Sequence, residues 1–162
     1  EDSSRYFFVQ NPVKIKIKGS PELIAKMPLH PNGKKGNRQY KTKQTFYVPG
    51  EDFELMENRD YRLMHLLNFK SSQVMTARPR EFSFLSANPD DKLDVKYIQW
   101  LPGEKEGVKV EVVMPDGSVQ KGIGEEKLNS LKEGSIIQFE RFGFVRLNKK
   151  EKDKLIFFFT HS

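Results

Sequence analysis

Glutamine and arginine side chains stand among aromatic ones in residues 136–147, a stretch that contains Gln138, Arg141 and three phenylalanines. Phenylalanine rings can stack on unpaired bases, while arginine and glutamine can reach base edges and phosphates. The combination is typical of proteins that read single-stranded RNA. The same pattern also suits an ordinary core strand, because phenylalanine is among the residues most often buried.

Composition and charge indicate which classes of protein are compatible with the sequence. The 162 residues include 28 Lys and Arg against 22 Asp and Glu, and the formal net charge of +6 favours an anionic partner. Cysteine is absent, which predicts a reducing, cytoplasmic setting without disulfides. No long apolar run and no leader pattern occurs, so we expect no membrane span and no membrane partner. Because the first residue is Glu1 and not Met, we expect a piece of a longer protein.

Residues with catalytic potential are sparse. The three histidines, His30, His65 and His161, are far apart in sequence, and with no cysteine a metal site would need an unusual ligand set. No nucleophile motif and no dinucleotide-binding glycine pattern is present. The sequence therefore predicts a binding module that has no catalytic residue, no metal site and no cofactor of its own.

Short strands dominate the predicted secondary structure. Residues 13–18 alternate β-branched side chains with Lys14, Lys16 and Lys18, which could form a phosphate-facing stripe or a solvated edge. A hairpin is predicted at residues 108–123, with its turn at 115–117. Further strands are expected at 45–48, 61–70, 81–85, 97–101, 136–147 and 155–161, the last covered on both faces, with loops at 29–40 and 87–92 and short helical turns at 21–27, 52–58 and 125–131. The leucine-rich spacing of residues 61–70 also fits a buried helix, but their length and the neighbouring strands favour a strand. About ten short strands without a long helix predict an all-β protein built of small barrels.

Five sequence motifs, taken in order, carry a resemblance to a known family. They are Arg5–Val9 with Asn11–Val13, His30–Asn32 with Gly36 and Arg38–Gln39, Tyr61–Leu63, Ile98–Trp100, and Gln138–Arg141 with Gly143–Phe144. Together they make the chain similar to the C-terminal anticodon-binding region of the class I glutamyl- and glutaminyl-tRNA synthetases. The turn at 114–117 and the phenylalanine-rich ending resemble the archaeal-type glutamyl members more than the glutaminyl ones.

The resemblance implies specific base contacts. Arg5, Gln138 and Arg141 would contact the central anticodon base, and Arg62 the first one. Uracil offers two carbonyl acceptors and one N–H donor, which suit arginine donors and a glutamine amide. Arg59 is a candidate for the third base, and three cations of the 29–40 loop, Arg38, Lys34 and Lys35, are further RNA-binding candidates.

The resemblance also implies an architecture and partners. It predicts two linked six-stranded β-barrels with a few short helical turns, divided here as residues 1–90 and 91–162, with strand exchange between the barrels left open. The partners would be the anticodon stem-loop of a tRNA and an N-terminal catalytic domain of the same chain. That missing domain would use ATP and Mg²⁺ to ligate glutamate to tRNA, and these 162 residues would be inactive alone. A glutaminyl enzyme, a free-standing ribosomal-type RNA-binding barrel and a protein-interaction module are the alternatives.

The implied roles of Gln138 and Arg141 require that both side chains lie on the same face of the sheet. Residues three apart in a regular strand point to opposite faces, so these two side chains could not meet one base. We therefore predict an irregularity between Glu140 and Gly143 that brings Arg141 to the face of Gln138 and leaves Phe139 in the core.

Overall fold

The computed structural model describes residues 3–162, and these residues are mostly in strands. In chain order the strands are β1 (Arg5–Tyr6), β2 (Phe8–Gln10), β3 (Val13–Lys18), β4 (Leu23–Pro28), β5 (Asn37–Thr42), β6 (Thr45–Val48), β7 (Arg59–Leu63), β8 (Leu67–Ser72), β9 (Glu81–Ser86), β10 (Val95–Ile98), β11 (Leu101–Pro102), β12 (Val108–Val113), β13 (Val119–Gly124), β14 (Ile136–Phe139), β15 (Gly143–Lys150) and β16 (Leu155–His161). Within the same residues, helix α1 (Gly50–Glu54) and a 3₁₀ helix (Glu126–Ser130) are the helical segments. The predicted all-β class is confirmed.

The chain forms two compact units from alternating segments. The first unit contains residues 3–12, 27–38 and 106–162, and the second contains residues 13–26 and 39–105. The chain therefore passes between the units four times, and residues 91–105 lie in the same unit as residues 39–90. The single division after residue 90, as the boundary between two barrels, stays a prediction.

The first unit contains a curled seven-stranded sheet. Its strand order is β1-β14-β15-β16-β12-β13-β2, so β1 and β2 lie at opposite ends. In a flat sheet these ends would be roughly 29 Å apart, because neighbouring strands are about 4.8 Å apart. Yet only Phe7 separates β1 from β2, and one residue bridges no more than about 7 Å. The sheet must therefore curl until its two ends approach each other.

The second unit repeats this arrangement with different strands. Its sheet has the order β10-β7-β8-β9-β3-β6-β11, and the two end strands are again neighbours in the chain, separated by Gln99 and Trp100. The same distance argument requires this sheet to curl as well. Strands β4 and β5 pair with each other in a separate two-stranded sheet. The predicted six-stranded count of each barrel stays a prediction.

Alternating apolar residues build the cores of both units. In the first unit the buried cluster comprises Tyr6, Phe8, Val110, Val112, Leu128, Ile137, Phe139, Val145, Leu147, Leu155 and Phe157. In the second unit the Trp100 indole packs edge-on against Phe46, with ring centroids 5.7 Å apart. The hairpin predicted at 108–123 is confirmed as β12 and β13, and the predicted helical turn at 125–131 is the 3₁₀ helix that buries Leu128.

Strand β3 shows the predicted alternation but is not an edge strand. Ile15 and Ile17 are buried while its three lysines are exposed, as predicted. The edge interpretation is wrong, because β3 pairs with β6 on one side and with β9 on the other. The phosphate-facing alternative for these lysines stays a prediction.

The helical turn predicted at residues 21–27 is wrong. This segment is strand β4, in which Ala25 and Met27 are buried and alternate with exposed Ile24 and Lys26. Its partner β5 begins at Asn37, so the predicted 29–40 loop is shorter than expected. Pairing between the two strands, which no local pattern reveals, decides the structure of both. Helix α1 likewise lies earlier than the turn predicted at 52–58.

Three predicted strands differ from the structure: two are interrupted, and one is buried on a single face. Residues 61–70 are extended as predicted, but they form a hairpin whose turn holds His65 at φ 65°. Residues 97–101 break after Ile98, where the curled sheet must bridge its two ends. The prediction that β16 is covered on both faces is wrong, because Phe157 is buried while the ring of Phe158 is 43% exposed.

Candidate nucleic-acid interface

Arg5 and Gln138 lie side by side in the first unit. Strands β1 and β14 run parallel, and Arg5 is in register with Gln138. Their neighbours Tyr6 and Phe139 are buried in the core, so Arg5 and Gln138 lie on the outer face of the sheet. The Gln138 backbone N–H donates to the Ser4 carbonyl at 2.9 Å, which fixes this register. The structure thus brings together two residues predicted to contact one base.

Arg141 lies in the turn that follows Gln138. Strand β14 ends at Phe139 and β15 begins at Gly143, so residues 136–147 form a hairpin and not one strand. The predicted irregularity between Glu140 and Gly143 is confirmed, and Phe139 is fully buried as predicted. The irregularity is a chain reversal, with Arg141 at φ 63° and Gly143 at φ 143°. Arg141 is exposed in this turn.

Arg38, a predicted RNA contact, is buried inside the first unit. Its Nε donates to Glu125 Oε1 at 2.7 Å, and only 3% of the residue is exposed. Its guanidinium also lies over the Phe7 ring, 5.4 Å from the centroid. Glu125 in turn accepts a hydrogen bond from the Phe7 backbone N–H. As placed, the guanidinium is not accessible to a phosphate, and it instead connects β5 to the segment between β1 and β2.

Glu140 links this buried pair to the outer face. Its Oε2 lies 3.9 Å from a terminal nitrogen of Arg38, and its backbone N–H donates to the Tyr6 carbonyl at 3.0 Å. Burial raises the pKa of Glu140 above its ordinary value, and the positive charges of Arg38, Arg5 and Arg141 oppose that rise. The carboxylate therefore stands in the electrostatic field of two of the predicted base-contacting arginines.

Arg62 lies in strand β7 of the second unit. One of its terminal nitrogens donates to Asn68 Oδ1 at 3.1 Å and to the Ala87 carbonyl at 3.0 Å. Only 7% of the residue is exposed, and burial lowers the pKa of Arg62, an effect partly offset by Tyr97. These two protein acceptors hold the guanidinium in place and occupy only part of the five N–H donors of an arginine.

The other predicted contacts differ in accessibility. Arg59 is half-buried, and its guanidinium donates to the Asp94 carbonyl at 3.3 Å and stands over the Tyr61 ring. Lys34 and Lys35 are exposed in the connection between β4 and β5. Lys35 also lines a surface depression, together with Ser3, Ser4, Leu131, Ser135, Ile136 and Ile137.

Sequence reasoning missed the aromatic rings that His161 and Tyr97 place beside the predicted contacts. Gln138 is in register with Phe144, and Phe144 is in register with His161, whose ring stacks on it with centroids 4.5 Å apart. In the second unit, Tyr97 is in register with Arg62 and 48% exposed. The signal that could have found His161 and Tyr97 is the pairing register, because neither of them is near its partner in sequence.

Two other kinds of feature, a metal-binding cluster and a membrane-spanning helix, are absent from residues 3–162. The described residues contain no group of three or more His, Asp and Glu side chains arranged to hold a metal ion. Across the same part of the chain, no helix is long and apolar enough to cross a membrane.

Two family models match the chain in succession. Both describe the anticodon-binding domain of class I tRNA synthetases for glutamate and glutamine (E and Q), and they match residues 3–88 and 82–148. The two matches overlap at residues 82–88. The chain belongs to this family of anticodon-binding domains.

Curated relatives agree with the family models. A glutamate–tRNA ligase of Methanocaldococcus jannaschii is 38% identical over 99% of this chain. The glutamate–tRNA ligases of Pyrococcus abyssi and Methanobrevibacter smithii are 36% and 34% identical, each over 98% of the chain. The chain spans 29% of the length of the first of these relatives and 28% of the other two. Within the family the similarity is therefore to the glutamyl branch, and neither the glutaminyl enzyme nor the ribosomal-type barrel is favoured.

Proposed function

We propose that this chain is the part of a cytoplasmic glutamate–tRNA ligase that reads the anticodon loop of its tRNA. The parent protein would ligate glutamate to tRNA with ATP and Mg²⁺ in an N-terminal catalytic domain outside these residues. The observation that carries the proposal is the pairing of Arg5 with Gln138 on the outer face of the sheet, with Arg141 three residues after Gln138 in the following turn.

The donors of this pair suit an RNA base. The Nε of Arg5 is buried and has no hydrogen-bond partner among residues 3–162. An unsatisfied buried donor costs free energy, and turning the half-buried Arg5 side chain outward to a base carbonyl would remove that cost. The Gln138 amide can both donate and accept, as recognition of a uracil edge requires. The Nε of Arg59 is likewise buried without a partner in the described chain, which supports its candidacy at the third base.

The test compares Arg141→Ala with Lys16→Ala, two exposed cations with different assigned roles. Arg141→Ala should weaken binding of the cognate anticodon stem-loop by roughly 1–3 kcal/mol and reduce discrimination against a changed central base. Lys16→Ala should weaken all RNAs alike, because a phosphate contact carries no sequence information. Fluorescence anisotropy with hairpins that differ only at the central anticodon base measures both quantities.

Arg62→Ala extends the same test to the first anticodon base. Because Arg62 is buried, its variant also needs a urea unfolding curve, so that lost affinity is not confused with lost structure. Unchanged affinity and unchanged anticodon preference in Arg141→Ala would show that the reading role is wrong.

A further inference from the structure

A second row of side chains lies on the outer face of the first unit's sheet. Ile136 is in register with Arg146, and Arg146 is in register with Phe158. Ile136 is 53% exposed, Phe158 is 43% exposed, and Arg146 is exposed between them. We call these three residues the outer row. The neighbours Ile137, Leu147 and Phe157 point the other way and are buried, so the core is complete without the outer row.

The outer row adjoins the residues proposed to read the anticodon. Ile136 lies two positions before Gln138 on β14, and Arg146 lies two positions after Phe144 on β15. Side chains two apart on a strand share a face and are about 7 Å apart. An extended RNA strand read at Gln138 therefore reaches the outer row with its next nucleotides.

The chemistry around the outer row favours an anionic, aromatic ligand. Arg146 supplies a positive charge between two exposed apolar side chains. The depression beside Ile136 is also lined by Lys35, which adds an ammonium group, and by Ser3 and Ser4, which add hydroxyl groups. Glu111, an acidic residue on the neighbouring strand, is paired with Lys154 at 3.0 Å, so its charge is compensated. Exposed aromatic rings beside cations are the usual platform for unpaired nucleotides.

We propose that the outer row binds an unpaired nucleotide of the same tRNA that flanks the anticodon, with its base stacked on Phe158 and its phosphate held by Arg146. This inference rests on the proposed function, but it assigns a contact outside the bases that Arg5, Gln138 and Arg141 read. Stacking on a phenylalanine ring is tolerant of base identity, so the outer row contributes affinity without anticodon preference.

The experiment uses three substitutions at one position and one matched control. Phe158→Ala removes the ring, Phe158→Leu keeps apolar bulk without a ring, and Phe158→Tyr keeps the ring. Leu55→Ala, in the second unit, removes another exposed apolar side chain, 62% exposed, and serves as the control. Each variant is titrated with anticodon stem-loops in which one loop nucleotide outside the anticodon is abasic. Thermal unfolding should be unchanged, because Phe158 lies outside the core.

The expected result is a loss of affinity specific to the ring. Phe158→Ala and Phe158→Leu should weaken binding by about 5- to 150-fold, the range measured for base–aromatic stacking, while Phe158→Tyr and Leu55→Ala retain it. One abasic position should weaken the wild-type complex but not that of Phe158→Ala. Anticodon preference should be the same in all these variants.

Other outcomes would overturn the assignment. Wild-type affinity in Phe158→Ala, or in Phe158→Leu, would exclude base stacking on this ring. Loss of self-association in sedimentation with RNA binding intact would assign the outer row to a second copy of the chain. The two proposals fail separately, because absent anticodon preference in the wild type contradicts only the reading role. Absent coupling between Phe158 and every abasic position contradicts only the outer row.

Discussion

Arg38 and Glu125 are both almost completely buried, and each charge depends on the other. The pair is bonded at 2.7 Å, and Glu125 also accepts the backbone N–H of Phe7, the residue between β1 and β2. Burying two charges is costly, and the cost is repaid only when their geometry and remaining hydrogen bonds are satisfied. Here the pair fixes the point where the first unit's curled sheet brings its two ends together.

We predict that Arg38→Ala destabilises the first unit strongly. The substitution leaves the Glu125 carboxylate buried without its cation, a change that typically costs about 3–5 kcal/mol. Urea unfolding followed by far-UV circular dichroism measures this loss. Lys34→Ala, which removes an exposed cation from the connection just before β5, should stay within about 0.5 kcal/mol of the wild type. Equal stability of Arg38→Ala and the wild type would show that the pair has no structural role.

Residue types alone could not separate Arg38 from Arg5. Both were predicted RNA contacts, Arg5 because the family resemblance implies it and Arg38 as one of the cations of the 29–40 loop. The register between β1 and β14 places Arg5 beside Gln138 on the outer face, whereas the partner Glu125 draws Arg38 inside. That difference depends on residues more than 80 positions away, as the separation of 87 between Arg38 and Glu125 shows.

At the scale of elements, local pattern was sufficient where strands pair with their neighbours in sequence. The alternation of residues 108–123 predicts the β12–β13 hairpin, since the turn and both strands are contiguous. It was insufficient for β4, where short apolar spacing suits a helical turn as well as a strand and pairing with β5 decides. The hairpin of β14 and β15 was predicted as one interrupted strand. The chain reverses at Arg141 with a positive φ, which is uncommon for a residue other than glycine, and no local sequence pattern indicates it.

Gly143 cannot be replaced by a larger residue without disturbing this hairpin. Its φ of 143° disfavours any side chain, and an added Cβ would lie 2.6 Å from the Phe159 ring and 2.9 Å from the His161 carbonyl oxygen. We predict that Gly143→Val destabilises the first unit by roughly 2–4 kcal/mol, combining overpacking with backbone strain. It should also weaken RNA binding, because the turn that carries Arg141 shifts.

Gly117→Ala provides the matched control for this prediction. Gly117 also has a positive φ, 87°, but no atom lies within 4 Å of an added Cβ. This variant should therefore show backbone strain alone, about 1–2 kcal/mol, and normal RNA affinity. Thermal unfolding and anisotropy titration of both variants make the comparison. If Gly143→Val lost no more stability than Gly117→Ala, the close packing against β16 would be refuted.

At the scale of the whole molecule, long-range pairing defines the two units. Strand β1 pairs with β14 and β2 with β13, so the N-terminal segment completes a sheet formed mainly by residues 106–162. Composition predicts small curled sheets, since short strands with frequent turns cannot form a broad open one. Composition cannot predict that the chain passes between the units four times, because contacts between segments far apart in sequence produce no local sequence pattern.

The excess of positive charge gives a prediction for the molecule as a whole. With a net charge of +6, tRNA affinity should fall steeply as ionic strength rises, with a log–log slope of about −0.7 for each phosphate contact to unpaired strand. Lys35→Ala should make the slope shallower by about 0.7 and leave anticodon preference unchanged, because a lysine–phosphate contact releases counterions without reading a base. Lys43→Ala is the control, since Lys43 has no assigned RNA contact and is already paired with Glu22 at 3.7 Å. Titrations at four or more salt concentrations measure the slopes, and a salt-independent affinity would contradict phosphate binding by this surface.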